Sequence, residues 1–278
     1  MKIYEEVTLV LISYKSRDKI KKFIKNISQN LKIIIIENSQ DIKLKKDLEI
    51  YRNIKIYLQS NKGYGAAANY AKTKIKTKYF LLCNPDLENL NDDKIIKLYK
   101  IGNKIYPNFL ALGPNFEFSK KNYNFNYNKE TKISGSCMFF NSKKFDDLGG
   151  FDENIFLYFE EDDLCKRGNK INLYSYKLIS QSVNHDIGTS VEVKTTKEKL
   201  KLKHLTLWHF IWSKYYFYKK NYGTIISFLL FLPALMRIYF KLILNLAIKD
   251  KKNFQKYKYR YDGLITSISG GKSYKRIF

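Results

Sequence analysis

Four solid apolar runs, each of strand length and most followed by a stretch of helical spacing, restrict this chain more than any other feature. They cover residues 7–13, 31–37, 54–59 and 78–83, and the second holds four consecutive isoleucines, Ile33 to Ile36. Between them Ile20, Phe23, Ile24 and Ile27 recur at helical intervals, and residues 42–51 and 64–75 read as further helices. A strand that is apolar on both faces needs cover on both. Strands alternating with helices therefore predict an α/β fold, a mostly parallel sheet between helical layers. After Asp86 the pattern loosens. It gives a helix at about 91–105, a strand at about 110–116, a polar Asn/Tyr-rich connection and a strand at 132–140.

In an open parallel sheet, ligands bind beyond the carboxyl ends of the strands. Polar residues stand at all four of these ends: Ser13-Tyr14, Glu37-Asn38-Ser39, Asn61-Lys62-Gly63 and Asn84-Pro85-Asp86. One polar loop is ordinary; four in series outline one site. The run from Asn61 through Gly63, Gly65 and Ala66 to Asn69 carries small residues that let a backbone and a helix start approach a ligand closely. It also fits the dinucleotide pattern G-x-G-x-x-A, with Asp86 placed 23 residues after Gly63, which would suggest an NAD-dependent oxidoreductase. That reading has two weaknesses. The pattern follows the third predicted strand and not the first, and it leaves the acids at 160–163 and His185 without a role.

Those acids, Glu160, Glu161, Asp162 and Asp163, directly follow the apolar and aromatic run Ile155 to Phe159. Such a run favours burial, and a carboxylate drawn in with it must pair, bind metal or shift its pKa. Taken alone, the quartet is as well explained by a solvated helix start. In the same way, Asn84-Pro85-Asp86 alone is a strand-capping turn, and a lone histidine such as His185 is usually structural.

The order of the motifs weighs against these bland readings. Gly149-Gly150-Phe151-Asp152-Glu153, the aromatic run, the acids and then Asp163-Leu164-Cys165-Lys166-Arg167 resemble the acceptor-site region of family 2 glycosyltransferases, especially rhamnosyltransferase-like members. The likeness extends over the run from Asn61 to Asn69, over Leu81 to Asp86, over Gly135-Ser136-Cys137-Met138 and over His185-Asp186-Ile187-Gly188-Thr189-Ser190, and so covers about residues 7–190. It implies the GT-A fold, with a nucleotide-binding part at about 1–105 and an acceptor part at about 106–194. It also implies an inverting, metal-dependent transfer of a sugar from a nucleotide-sugar donor to a saccharide or lipid-linked acceptor. On it, Glu161 falls on the catalytic base, with Glu160 and Asp163 as the neighbouring candidates. Glu stands at 161 where the family usually has Asp. Ser13, Tyr14 and Glu37 would hold the nucleobase and ribose, and Asn61, Gly63, Asn69, Asn84, Asp86 and Gly135 would line the rest of the donor site. Asp86 and His185 would meet Mn²⁺ or Mg²⁺, a hard cation suited to the charge that develops on a departing nucleoside diphosphate. Rhamnose from dTDP-rhamnose is the favoured donor, a hexose from a UDP-sugar the other. A non-catalytic sugar-nucleotide-binding protein of the same fold is a further reading.

From about residue 195 the chain becomes basic, aromatic and apolar. Residues 191–278 hold 19 Lys/Arg against 4 Asp/Glu, whereas residues 1–190 hold 32 against 22. Residues 204–222 read as a helix, and 224–248 are strongly apolar but interrupted by Pro233, Arg237 and Lys241. The expectation is a helix lying in the plane of an anionic membrane surface rather than one crossing it. No nucleic-acid-binding pattern competes with this. Cys83, Cys137 and Cys165 are spaced like neither a zinc site nor a disulfide framework. With no signal-peptide pattern at the start, a cytoplasmic chain, peripheral on the inner face of the membrane, is expected.

Overall fold

The computed structural model describes residues 2–116, 127–185, 190–193 and 195–276, without the side chains of Ser180, Gln181 and His185. The strands are β1 (Val7–Ser13), β2 (Lys32–Glu37), β3 (Ile54–Leu58), β4 (Tyr79–Cys83), β5 (Leu87–Glu88), β6 (Ala111–Asn115), β7 (Tyr127–Glu130), β8 (Cys137–Asn141), β9 (Ser175–Ser182) and β10 (Asn184–His185). The helices are α1 (Ile3–Glu6), α2 (Arg17–Ile24), α3 (Ile42–Leu48), α4 (Tyr64–Lys72), α5 (Asp92–Ile105), α6 (Ser142–Asp147), α7 (Glu160–Lys170), α8 (Thr196–Tyr222), α9 (Thr224–Ala247) and α10 (Lys251–Ile268). They form two compact units. Residues 1–152 with 161–192 make a sheet unit, and residues 153–160 with 193–278 make a helical unit.

In the sheet unit the strand order is β3-β2-β1-β4-β8-β6-β9-β7. The first four strands run parallel, β8 is antiparallel to both β4 and β6, and β9 returns parallel to β6. Every residue of β1 and β4 is buried, and alternate residues go to opposite faces. Leu9, Leu11, Ile33, Ile35 and Leu81 pack with Ile20, Phe23, Leu44 and Leu98 on one side. Val10, Ile34, Phe80 and Leu82 pack with Ala67, Ala71, Met138, Phe140 and Leu164 on the other. Each large apolar side chain removed from water contributes ~1.5–3 kcal/mol, which is why these strands occupy the middle of the sheet. Strand β3 is mostly half-buried, as an edge strand can be.

Two expectations change. The strand at 132–140 begins only at Cys137, because residues 132–136 form the turn Lys132-Ile133-Ser134-Gly135-Ser136 that leads into β8. The eight-residue strand β9 was not anticipated; its Ser, Tyr, Lys and Gln positions conceal an apolar pattern. Most of the Asn/Tyr-rich connection lies at 117–126, outside the described residues.

The helical unit is built from α8, α9 and α10. Phe231 of α9 sits between Tyr215 and Tyr218 of α8, at centroid distances of 5.2 and 5.4 Å, and Tyr239 meets Tyr261 of α10 at 6.0 Å. Pro233 lies inside α9, which runs as the one expected helix, 24 residues long. At ~1.5 Å per residue this is about 36 Å, long enough and apolar enough to cross a membrane by length and composition. His204 and His209 are engaged within the helical unit. His204 stacks on Tyr259 at 4.7 Å. The His209 ring nitrogens meet Ser273 Oγ and the Lys275 carbonyl at 2.9 and 2.8 Å, and burial holds its pKa down at about 4.

Candidate active site

The parallel register brings the strand ends to one edge. Ser13 lies opposite Glu37, and Glu37 opposite Leu58. Because β8 is antiparallel to β4, Cys137 lies opposite Cys83, so Gly135 and Ser136 reach the same edge as Asn84 and Asp86. The Asn84 N–H donates to the Ser136 carbonyl at 2.9 Å.

At the β1 and β2 ends, polar groups tie the loops to each other. Glu37 is fully buried. Its carboxylate accepts from Ser39 Oγ at 2.5 Å, from the Ser39 N–H at 2.9 Å and from the Asp41 N–H at 2.7 Å. Ser39 Oγ in turn accepts from the Lys15 N–H at 3.0 Å, and Arg17 pairs with Asp41 through two hydrogen bonds. Ser13 is buried with its hydroxyl 3.1 Å from that of Ser16. Burial first, and then the neighbouring Glu37, raises the Tyr14 pKa. Glu37 is therefore engaged in shaping the loop.

The β3 end leads into α4. Asn61 Oδ1 accepts from the Gly63 N–H at 3.1 Å, and Gly63 has φ +111°, a conformation that side chains disfavour. Tyr64 then donates its hydroxyl to the Gly135 carbonyl at 2.8 Å, which joins this loop to the turn before β8. Five residues on, Asn69 is elsewhere. Its amide donates to the Phe151 carbonyl and accepts from the Phe151 N–H, both at 2.9 Å. It clamps the Gly149-Gly150-Phe151 turn.

Asp86 is 4% exposed and accepts from Ser190 Oγ at 2.5 Å. Next to it, β5 pairs with β10, which sets the His185 backbone opposite Leu87. Residues 186–189 and the His185 side chain lie outside the described residues. Among those described, no group of three or more His, Cys, Asp or Glu side chains is gathered as a metal cage. A single hard carboxylate at the edge still fits Mg²⁺ or Mn²⁺ of the kind that keeps waters and takes other ligands from substrate phosphates.

Partners sort the four acids. Lys132 Nζ donates to Asp162 at 2.8 Å. Asp163 is 1% exposed and accepts from Arg167 Nε at 2.8 Å, while the same guanidinium donates to the carbonyls of Leu148 and Gly150. Asp163 thus latches the Gly-Gly turn from one side as Asn69 does from the other. Glu160, at the first position of α7, is 5% exposed and belongs to the helical unit. Glu161 differs from Asp162 and Asp163. Backbone N–H groups of Gly135 and of Glu161 itself donate to its carboxylate, and Oε2 is buried without a hydrogen-bond partner. Burial, and secondly the Asp162 charge, raise its pKa to about 7. Gly135 makes room for it, since a Cβ there would lie 3.2 Å from the carboxyl carbon and Oε1. A buried carboxyl that titrates near neutrality suits a general base.

No protein-family model matches the chain. It is 23% identical over 198 residues to the low-salt glycan biosynthesis hexosyltransferase Agl10 of Haloferax volcanii, a match over 61% of this chain and 63% of that protein. To the rhamnosyltransferase WbbL of Escherichia coli it is 25% identical over 201 residues, or 58% of this chain and 76% of that one. Among solved structures, the mannosyltransferase PcManGT from Pyrobaculum calidifontis, in complex with GDP-Man and Mn²⁺, is similar at a TM-score of 0.57. That match covers 95% of this chain and 87% of the other at 10% identity. Residues 1–349 of S. aureus TarS give 0.52 over 98% and 93% at 11% identity. The chain is family 2 glycosyltransferase-like, with the GT-A fold. It spans just under two thirds of the hexosyltransferase that it matches.

Sequence reasoning about this GT-A site missed three contributors: Tyr64, Ser190 and Arg167. Tyr64 and Ser190 lay inside motifs already singled out, where only their long-range partners distinguish them. Arg167 carried a usable signal, its i+4 spacing from Asp163 on a helix.

Proposed function

We propose that the chain transfers a sugar from a nucleotide-sugar donor to a saccharide or lipid-linked acceptor in glycan assembly, by a single inverting displacement. The observation that carries this reading is Glu161, a buried carboxyl with a pKa near 7 set against Gly135 at the edge where the parallel strands end. Glu161 accepts the acceptor hydroxyl's proton as that oxygen bonds the anomeric carbon. The bond from that carbon to the diphosphate breaks on the opposite side, and its electron pair leaves with the diphosphate. Asp86 would hold the divalent metal, with His185 as the second candidate ligand, and the metal would neutralise charge on the leaving group. Tyr64 fixes Gly135, while Asn69, Asp163 and Arg167 hold the turn that leads to the base. Rhamnose from dTDP-rhamnose is the favoured donor and a hexose from a UDP-sugar the other, in bacterial surface polysaccharide synthesis. The relation to WbbL supports the first, and that to Agl10 a hexose.

The test is a thermal-shift screen of sugar nucleotides with and without Mn²⁺, followed by transfer assays with the stabilising donor. Metal-dependent stabilisation by a nucleotide sugar, with turnover that Glu161→Gln abolishes, is the expected result. Stabilisation by NAD alone, or donor binding with no turnover on any acceptor, would overturn the reading.

A further inference from the structure

Among the described residues, nothing covers the outward face of α9, and this face is continuous. Ile225, Leu229, Met236, Phe240 and Ile243 lie within about 60° of one another around a helix of ~3.6 residues per turn, and each is between 47% and 77% exposed. The opposite stripe, Ser227, Phe231, Ile238 and Asn245, is buried. Arg237 and Lys241 stand on one border between the two, and the apolar stretch is bounded by Lys219 and Lys220 before it and by Lys249, Lys251 and Lys252 after it. A soluble surface rarely leaves so many large apolar side chains together.

We infer that α9 is the bilayer contact of the helical unit, lying in the plane of an anionic membrane with this face among the upper acyl chains. Charge and packing together choose the occupant and the pose. The cations beside the apolar face suit anionic headgroups, which Arg237 and Lys241 reach from the border by extending their stems. Packing argues against a crossing helix. Tyr239, well inside α9, packs against Tyr261 of α10 with the rings tilted, and Tyr261 lies between Arg260 and Asp262, with Lys258 a turn earlier. A spanning α9 would either draw those charges to mid-membrane depth or strip α10 away, and charges at that depth are among the most costly groups a bilayer can hold. Lying flat, α9 keeps α8 and α10 on its watery side. This inference is independent of sugar transfer, because its test needs no substrate.

The full-length protein is floated with vesicles of phosphatidylcholine alone or with 30 mol% phosphatidylglycerol. Flotation with the anionic vesicles, partly reversed by high salt, is expected. Met236→Glu and Phe240→Glu, exposed positions whose exchange leaves the packed face intact, should each cut partitioning about tenfold or more. Single cysteines introduced at Leu229, Met236 and Phe240 and labelled with a polarity-sensitive dye should all be quenched at one shallow depth by spin-labelled lipids. A dye at Lys258 should stay in water. Quenching deepest at Met236 and shallow at the two helix ends would mean a crossing helix and overturn the pose. Failure to float, or a dimer in solution that Met236→Glu dissociates, would give this face to protein and overturn the inference. Loss of flotation with transfer to a water-soluble acceptor intact would leave the functional reading standing.

Discussion

Two glutamates at the edge of one sheet have opposite surroundings. Glu37 is fully buried, and both of its oxygens accept hydrogen bonds, three in all, from the loop that it organises. Glu161 keeps one buried oxygen without a partner, and burial drives its pKa to about 7. A satisfied buried carboxylate is architecture, because its charge is already balanced by fixed donors. An incompletely satisfied one is costly to hold charged, and that cost gives it affinity for a proton. The same contrast separates Glu161 from Asp162 and Asp163, which have Lys132 and Arg167.

The largest effect that could break this contrast is the loss of the base. Glu161→Gln should lower kcat by about 10³-fold, within the range of general-base contributions, and leave donor affinity near wild type. An active Glu161→Gln beside an inactive Glu160→Gln would move the base by one residue. Wild-type kcat should rise with pH up to a plateau just above 7. The carboxyl's folded-state pKa is raised from 4.5 to about 7, so the cost of its charge is absent below about 4.5 and complete above 7. Glu161→Gln should therefore raise the melting temperature at pH 8 and barely alter it at pH 4; equal shifts at both would contradict the assigned burial.

Next in size, Asp86→Ala should weaken donor binding in Mn²⁺ by about tenfold or more, and EDTA should silence the wild type. Full turnover in chelator would point instead to a cationic side chain on the diphosphate. Glu37→Gln should cost about 1–3 kcal/mol in urea unfolding, because one donor of its loop loses an acceptor, with little change in kcat. A large kcat loss at unchanged stability would give Glu37 a direct donor contact. The smallest effect belongs to Lys132→Met. Lys132 lowers the Glu161 pKa and neutralises Asp162, so its loss should move the pH limb upward by a fraction of a unit. A downward shift would mean that Glu161 titrates under some other influence.

What the sequence disclosed follows from how local the cause was. Strands β1, β2 and β4 were legible because burial on both faces leaves them almost no polar position, whereas β9 was hidden by its serines and lysine. Asp86, Gly135 and Glu161 stood out in ordered motifs, and their roles are those proposed above. The turn contacts of Asn69 and Asp163 were not legible, because these depend on carbonyls and N–H groups of a turn that only the fold brings to them. Pro233 interrupts the apolar run without ending the helix, since a proline within a helix that packs along one face need not end it.

Just before the acids, Tyr158 and Phe159 have φ of +66° and +71°, a left-handed pair that side chains of this size avoid at ~1–3 kcal/mol each. Both rings pack on Phe210, Phe159 also meets Phe217, and Ser213 Oγ donates to the Leu157 carbonyl at 2.8 Å. Residues 157–159 thus hold this shape only while α8 is folded against them. Melting of α8 should accordingly release this left-handed pair to an extended backbone.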